Sequence, residues 1–528
     1  MITQEGFIDY FSGFKRAENL NIELSTNGNN SINKVTFTKY GINWDIDVIN
    51  EDSRLLLPIV RLNNTELIGR LPHVNICGVV CVHDSEGLLV DTNDLDRAYF
   101  LYIEESINLL IDSYEYHFYL QDDTDLYNEY QGYFCRNNDR QILLGDEADL
   151  ETGDEVAFYV HKNKQIMYVG SLEESVGNTY FIKKFSNELT RQTGVYIKVA
   201  HEILPPQNQQ DINWDYIKSD IICNDQTITN YIKKRTKKNK DILLLISIPR
   251  LNQEFNTILL VQYNASTCKL YYSFPKRHSE RYLLQRNGCK MDFDDFKVGV
   301  IGCGSVGSEV IYQLVKCGIK NILITDHDSF SIDNIYRHRL DISYLHENKA
   351  SAIKHDLEKK LPYINVKTCR SDQDKEFLSC NLILLITGNL NHCLNFNNLR
   401  KDDNIPVIYG WNDGISTGGH AILVSQYERG LDFLFERNNY EFNYKYSLIQ
   451  SNQKISKNLV GCGGDFVPFS YHDSCQTANQ MVSLVLQFLE SKDKQNIRIT
   501  WFGNNPQNNA ATTYYEDYKD KLLVKEMF

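Results

Sequence analysis

KVGVIGCGSVGSEV, residues 297–310, decides the fold of the C-terminal half. A short apolar run leads into Gly302, Gly304 and Gly307 in G-x-G-x-x-G spacing, and an amphipathic helical pattern follows at once. Strand, glycine turn and helix are the context in which this spacing binds a nucleotide. The first two glycines allow a tight turn and a close approach of backbone to phosphate. The helix N-terminus supplies free N–H groups and the positive end of its dipole. Gly318 stands where a helix C-cap is expected.

Outward from this stretch, short β-rich runs (NILIT, NVKTC, NLILLIT, IPVIYG) alternate with amphipathic helices. That order predicts a mainly parallel sheet covered by helices. Asp326 ends the second strand, 22 residues after Gly304. An acid there can accept both ribose hydroxyls and suits NAD as well as ATP. The continuation DHDSFSIDNIYRHRL, with Lys349 beyond it, separates the two. Arg337 and Lys349 are two cations suited to a triphosphate, for which a nicotinamide has little use.

With these four motifs in order, GCGSVGSE…DHDSFSIDNIYRHRL…NKASA resembles the HesA/MoeB/ThiF superfamily, which includes the ubiquitin-activating enzymes. The resemblance implies that Asp326 binds ribose, that Arg337 and Lys349 contact ATP phosphates, and that Asp328 and Asn334 shape the pocket. It implies adenylation of a polypeptide C-terminal carboxylate, with ATP and Mg²⁺ as cofactors and a homodimer as the assembly. Many members carry a magnesium-binding aspartate where this chain has Gly388, so the metal ligands are unassigned; Asp413 and Asp372 are the substitutes at hand. An arginine acting across the dimer would be Arg281 or Arg286. Farther on, NLVGCGGDFVPFSYHDSCQTANQ places Cys462 in a glycine-rich loop ahead of a helix, where a thiol is accessible and its thiolate favoured. It resembles the catalytic-cysteine loop of bacterial activating enzymes fused to other modules. Cys475 is the competitor, and Cys303 reads as a packing residue.

An enzyme that makes a thioester hands it to a conjugating enzyme, which gives the N-terminal region a test. Residues 1–135 read as helix, strand-rich meander, the cysteine stretch HVNICGVVCV (73–82), then a helix with apolar Ala98, Leu101, Ile107, Leu110 and Ile111. Alone, the cysteine stretch reads as a buried strand. Beside an activating domain, His73-Val74-Asn75 and Gly78-Val79-Val80-Cys81-Val82 resemble the active-site signature of the ubiquitin-conjugating fold, with valine for the usual proline and a shorter loop. Cys81 is then the acyl acceptor. Asn75 holds the loop or stabilises the aminolysis oxyanion. His73 is structural and Cys77 a bystander.

The chain's 528 residues allow two to four domains. The expected division is a conjugating-like α+β domain at 1–135, an α/β linker domain at 136–290 and a Rossmann-like activating domain at 291–528. A net charge of −14 argues against nucleic acid or anionic membrane as partner. The basic run at 233–238 reads as a solvated helix end. No apolar run reaches the ~18 residues of a membrane span, and no signal peptide opens the chain, so the cytoplasm is expected. The thirteen cysteines include no C-x-x-C pair, which disfavours a structural zinc site.

The combined resemblance is to bacterial fusion enzymes of antiphage defence, especially those of CBASS operons. It implies thioesters on Cys462 and then Cys81, and transfer to a lysine. The conjugated C-terminus would belong to a cyclic-nucleotide synthase or, in a related operon, to a ubiquitin-like protein. A rival class is an NAD-dependent oxidoreductase, which predicts NAD binding and no pyrophosphate release.

Overall fold

The computed structural model describes residues 4–24, 32–49, 57–83, 89–130, 142–162, 165–171, 186–206, 213–251, 253–289, 293, 295–361, 363–450, 453, 456–458, 465–491, 495–503 and 511–528. The chain divides into two compact units, Met1–Ser175 with Phe185–Ser279, and Val176–Lys184 with Glu280–Phe528.

The first unit opens with helix α1 (Gln4–Phe11) and an antiparallel meander of β1 (Glu18–Glu23), β2 (Ile32–Lys39), β3 (Ile42–Ile49) and β4 (Ile59–Leu62). Alternation sets the buried face: Val35 and Phe37 on β2 lie inside with Trp44, Ile46 and Val48 on β3. Phe37 and Trp44 are directly opposed across the strand pair, their rings stacked at 5.5 Å. Helix α2 (Leu95–Tyr114) covers this face, capped by Asp94, whose carboxylate accepts from the Arg97 N–H at 3.3 Å. Its buried stripe runs through Tyr99, Ile103, Ile107, Leu110 and Ile111. Leu101, expected on that stripe, is 42% exposed, because it lies half a turn away from Tyr99 and Ile103.

A second sheet in this unit has the order β11-β10-β9-β8-β6-β7-β5-β12. Its strands are β5 (Leu143–Leu144), β6 (Glu155–His161), β7 (Ile166–Ser171), β8 (Leu189–Lys198), β9 (Ile242–Ile248), β10 (Thr257–Asn264), β11 (Lys269–Ser273) and β12 (Lys276–Arg277). The parallel step from β8 to β9 carries helix α3 (Gln226–Lys237). The basic run falls at the end of α3, where cations meet the negative end of the helix dipole. The two sheets of the unit are joined through side chains. The Arg250 Nε–H donates to Asn128 Oδ1 at 3.2 Å, and the Tyr130 and Tyr216 hydroxyls lie 3.3 Å apart.

The second unit begins with helix α4 (Glu280–Arg286) and contains the sheet β15-β14-β13-β16-β17-β18-β23-β24. Strands β13 (Lys297–Ile301), β14 (Asn321–Thr325), β15 (Asn365–Thr368), β16 (Leu382–Leu385) and β17 (Val407–Asp413) are parallel. They are linked by helices α5 (Ser305–Lys316), α6 (Lys349–Lys360) and α7 (Leu390–Arg400). Strand order reverses on either side of β13, and a crevice opens there at the strand C-termini, where α/β sheets bind ligands. Strands β18 (Gly418–Val424), β23 (Ile497–Phe502) and β24 (Leu523–Met527) extend the sheet antiparallel. Two short pairs, β19 (Phe435–Asn438) with β20 (Glu441–Tyr444) and β21 (Lys457–Asn458) with β22 (Asp465–Phe466), stand outside it. Helix α8 (Tyr471–Glu490) lies against α5, β17 and β18. Gly318 closes α5 with φ +95°; its N–H donates to Val315 O and the Ile319 N–H to Leu314 O, each at 3.0 Å, the Schellman pattern.

Trp44 is fully buried in the core between the meander and α2. Trp44→Ala is expected to destabilise this meander by about 3–5 kcal/mol. Hydrogen exchange of the β2 and β3 amides will read this directly, and unchanged protection would refute it.

Candidate active site

The three glycines of the opening stretch have separate tasks. Gly302 is left-handed at φ +97°, and a Cβ there would lie 2.5 Å from Ile386 O. A Cβ on Gly307 would lie 2.0 Å from Gly302 O, so only glycine lets α5 settle on the loop. Gly304, the N-cap of α5, faces open space.

A cavity of about 620 Å³ lies over this loop, lined by Gly302, Gly304, Asp326, Asp328, Lys349 and Thr387 among others. Asp326 accepts the Cys303 N–H on Oδ2 at 2.6 Å and the Asp328 N–H on Oδ1 at 2.8 Å. These bonds fix the carboxylate at the cavity wall. Lys349, nearly buried at the start of α6, reaches Asp328 Oδ2 at 2.9 Å, and this bond holds the Asp328 carboxyl below its usual range.

His338 locks the loop from behind. Its Nδ1 accepts the Leu340 N–H at 3.1 Å, which leaves the ring proton on Nε2 to donate to Cys303 O at 2.7 Å. Burial drives its pKa down to about 4. Asn334 Oδ1 accepts the Ser331 N–H and hydroxyl at 3.1 and 3.2 Å, closing a capping box. The Arg337 guanidinium lies over the Phe469 ring, 5.4 Å from its centroid. Phe469 lines a second cavity of about 490 Å³, with Trp411, Asn412 and Asp413. Thus Asp326, Asp328 and Lys349 share one cavity with the glycine loop, while Arg337 stands beside the second.

In the first unit, the cysteine stretch is an irregular loop. Isolated bridges join Arg61 to Val79 and Val74 to Val80, and both Cys77 and Cys81 are exposed. The reading as a buried strand is therefore overturned. Gly78 explains the departure from a strand: it has φ +79°, its O accepts the Leu62 N–H at 2.7 Å, and a Cβ there would sit 2.5 Å from Leu62 O. Asn75 Oδ1 accepts the Cys77 and Val79 N–H groups at 2.8 and 3.0 Å, so its carbonyl oxygen builds the loop. The His73 carbonyl takes the Cys81 N–H at 2.8 Å, and His73 itself is left-handed at φ +63°. Tyr102 on α2 faces this region: burial, then the neighbouring Cys81 and Glu105, raise its pKa.

Residues 283–413 match the ThiF family, and residues 17–143 match prokaryotic E2 family B. The chain joins a ThiF-family domain to a prokaryotic E2 family B domain. It is 30% identical over 156 residues to the ATP-dependent ubiquitin transferase-like protein Cap2 of Pseudomonas aeruginosa, covering 28% of each chain. It is 29% identical over 170 residues to SUMO-activating enzyme subunit 2 of Dictyostelium discoideum, covering 30% of this chain and 25% of that one. The aligned stretches thus span 28% and 25% of the length of these relatives. Among solved structures, E. coli MccB with AMPCPP and MccA is 17% identical with a TM-score of 0.29, covering 44% of this chain and 67% of that chain.

Two of the thiols in the second unit, Cys303 and Cys475, bear on the choice of nucleophile. Cys303 is fully buried, and burial and Asp326 raise its pKa well above the ordinary thiol value, which excludes it as a nucleophile. Cys475, in α8, is half-buried; burial, then Glu309, raise its pKa, so its neutral form is favoured. Cys462 lies outside the described residues. The described residues of the ThiF-family domain do not offer a cluster of carboxylates for a resident cation. Gly388 has no acid. Asp372 is taken by His392 Nε2 at 2.7 Å, and Asp413 by His420 Nε2 at 3.2 Å and the Leu448 N–H at 2.7 Å. Sequence reasoning missed His338, Tyr102 and His392, because each gains its partner only through tertiary packing.

Neutral His338 yields a signed prediction. Its folded pKa of about 4 lies below its ordinary 6.5, so the unfolded chain binds the extra proton between these values. The stability it contributes is complete above pH 6.5, falls as pH drops toward 4, and amounts to about 3 kcal/mol. His338→Gln should therefore narrow the stability gap to wild type between pH 7 and pH 4.5. Urea midpoints at the two pH values check this, and an equal gap at both would refute it.

Proposed function

We propose that this protein is an ATP-dependent conjugating enzyme which activates a protein C-terminus and passes it through two thioesters to a lysine. The observation that carries the reading is the presence, in one chain, of a ThiF-family match and a prokaryotic E2 family B match. The exposed Cys81 in a built loop supports the second of these, and the cavity holding Asp326 and Lys349 over the glycine loop supports the first.

In the first step Asp326 takes the ribose hydroxyls, while Lys349 and Arg337 bind phosphates. Lys349 would exchange Asp328 for a phosphate oxygen. Magnesium would enter with ATP, bound to its phosphates. A carboxylate oxygen of the target attacks the α-phosphorus, and the bond to pyrophosphate breaks. The Cys462 thiolate then attacks the acyl carbon and AMP leaves. The Cys81 thiolate next attacks the Cys462 thioester, and an acceptor amine attacks the Cys81 thioester, losing a proton as the thiolate departs. Each step keeps the carbonyl activated, because a thiolate is both a good attacker and a good leaving group.

The target we propose is a cyclic-nucleotide synthase in a CBASS defence operon, a reading the Cap2 likeness supports. A homodimer, with Arg281 or Arg286 reaching the neighbouring site, completes the assembly. The described helices are not long and apolar enough to cross a membrane, in keeping with action in the cytoplasm.

Mass spectrometry of the protein with ATP and the candidate synthase tests the relay. Wild type should form a thiol-reducible adduct. Cys462→Ala should form none, and Cys81→Ala should hold the acyl group on Cys462. An isopeptide product from both variants would overturn it.

A further inference from the structure

The two cavities of the second unit meet at three residues, Gly304, Ile386 and Thr387. Of these, Thr387 alone carries a polar side chain. It follows β16 and lies directly across from the glycine turn: the Cβ position of Gly302 is 3.2 Å from Thr387 N. Its neighbour Gly388 is left-handed at φ +68°, with open space where a side chain would be.

The Thr387 hydroxyl is not loose. Thr387 Oγ1 lies 3.2 Å from His392 Nδ1, and His392 Nε2 lies 2.7 Å from Asp372 Oδ2. The ring is set in turn by the fold. His392 is in the first turn of α7, where its N–H donates to the Asn389 side chain at 3.1 Å, and the Arg400 guanidinium donates to Asp372 O at 3.3 Å. Thr387, His392 and Asp372 all line the cavity that holds Asp326 and Lys349. The Asp372 carboxylate only accepts, so His392 Nε2–H donates to it; with Nδ1 protonated as well, the imidazolium donates to Oγ1 and the threonine proton is turned to the cavity.

We propose that Thr387, oriented by His392 and Asp372, donates its hydroxyl to the α-phosphate of the bound nucleotide at the junction of the two cavities. This rests on the adenylation reading and adds a residue to it. With ribose on Asp326, the α-phosphate is the first phosphate to leave the nucleoside. It is also the one that a carboxylate entering through the second cavity must reach. The junction is the place common to both paths. A hydroxyl donor there steadies the phosphate without adding negative charge, whereas a carboxylate at position 388 would need a cation between it and the phosphate. His392 and Asp372 are positioning residues in this scheme, since both ring nitrogens are engaged by protein.

Calorimetric titration of the full chain with adenosine, AMP and MgATP tests the assignment, and needs no knowledge of the target. Thr387→Val should weaken AMP and MgATP by the same factor, about tenfold, and leave adenosine unchanged. Thr387→Ser should restore both. His392→Ala should give the same pattern in weaker form and add nothing to Thr387→Val in the double variant, which a merely structural pair would not do. Loss confined to MgATP would move the contact to the outer phosphates and overturn the proposal. Equal loss for all three ligands, or no loss, would overturn it as well. Wild type binding none of the three would refute the adenylation reading itself, a result distinct from any of these.

Discussion

The contact between Gly307 and the Gly302 carbonyl is the constraint from which the ThiF-family site follows. With hydrogen on both α-carbons, the first turn of α5 rests on the end of β13. Any side chain at Gly307 would force the helix away, since its Cβ would stand 2.0 Å from that oxygen. The close seat points the free N–H groups of the helix at the cavity. It also brings the loop within reach of β14 and β16. The Cys303 N–H finds Asp326, the Cys303 carbonyl finds His338, and Gly302 packs on Ile386. Three strands are thereby locked to one turn, and the polar groups they carry face one space.

Electrostatics then divide the labour within that space. A chain of net charge −14 must concentrate cations where phosphates bind. In the proposed reading Lys349 does so while nearly buried, an arrangement that would be costly for an unpaired ammonium. Asp328 offsets that cost, and its partly exposed carboxylate could return to water were a phosphate to take its place. His338 is handled oppositely. Both its ring nitrogens are bonded to backbone and burial outweighs the nearby Asp326, so it stays neutral and acts as a hydrogen-bonding strut. The two buried basic residues thus serve different ends because only Lys349 is bonded to an acid.

Legibility of the fold in the sequence followed the range of the interactions. The strand–glycine–helix unit is local, and its spacing, its N-terminal turn and the Gly318 C-cap are readable from consecutive residues. The parallel strands are readable because burial on both faces leaves unbroken apolar runs. The antiparallel extension was not read. Strand β18 starts on Gly418 and Gly419, which look like a turn, and a Cβ on Gly418 would lie 2.2 Å from Trp501 O, a contact that exists only once β23 is in place. Strand β24, LVKEM at a sheet edge, has Lys525 and Glu526 side by side and buries only Val524, so it shows no period-two pattern. β1, polar along most of its length, escaped for the same reason. In the site, Asp326 and Lys349 were legible from motif spacing. The Thr387–His392–Asp372 chain was not, because its members come from the ends of different elements and have no fixed spacing to betray them.

The cysteine loop shows how the middle sheet enters the chemistry of the first unit. Ile76 stands between Asn75, which builds the loop, and Cys77. Its side chain packs against the core formed by Ile217, Ile221 and the strands β9 and β10 of the second sheet. Asn75 closes the loop on itself, Gly78 and Val80 tie it to Leu62 and Val60 of β4 on one side, and Ile76 packs on the second sheet from the other. Cys81 follows within five residues of this double anchor, and its N–H is held by His73, whose own N–H donates to Glu129 at 3.2 Å. Glu129 and Tyr130 lead the chain out of the first subdomain toward the second sheet, and Tyr130 is buried in the same core as Ile76. The position of the exposed thiol therefore depends on residues of both sheets. The packing of the middle sheet on Ile76 makes it part of the scaffold that presents Cys81.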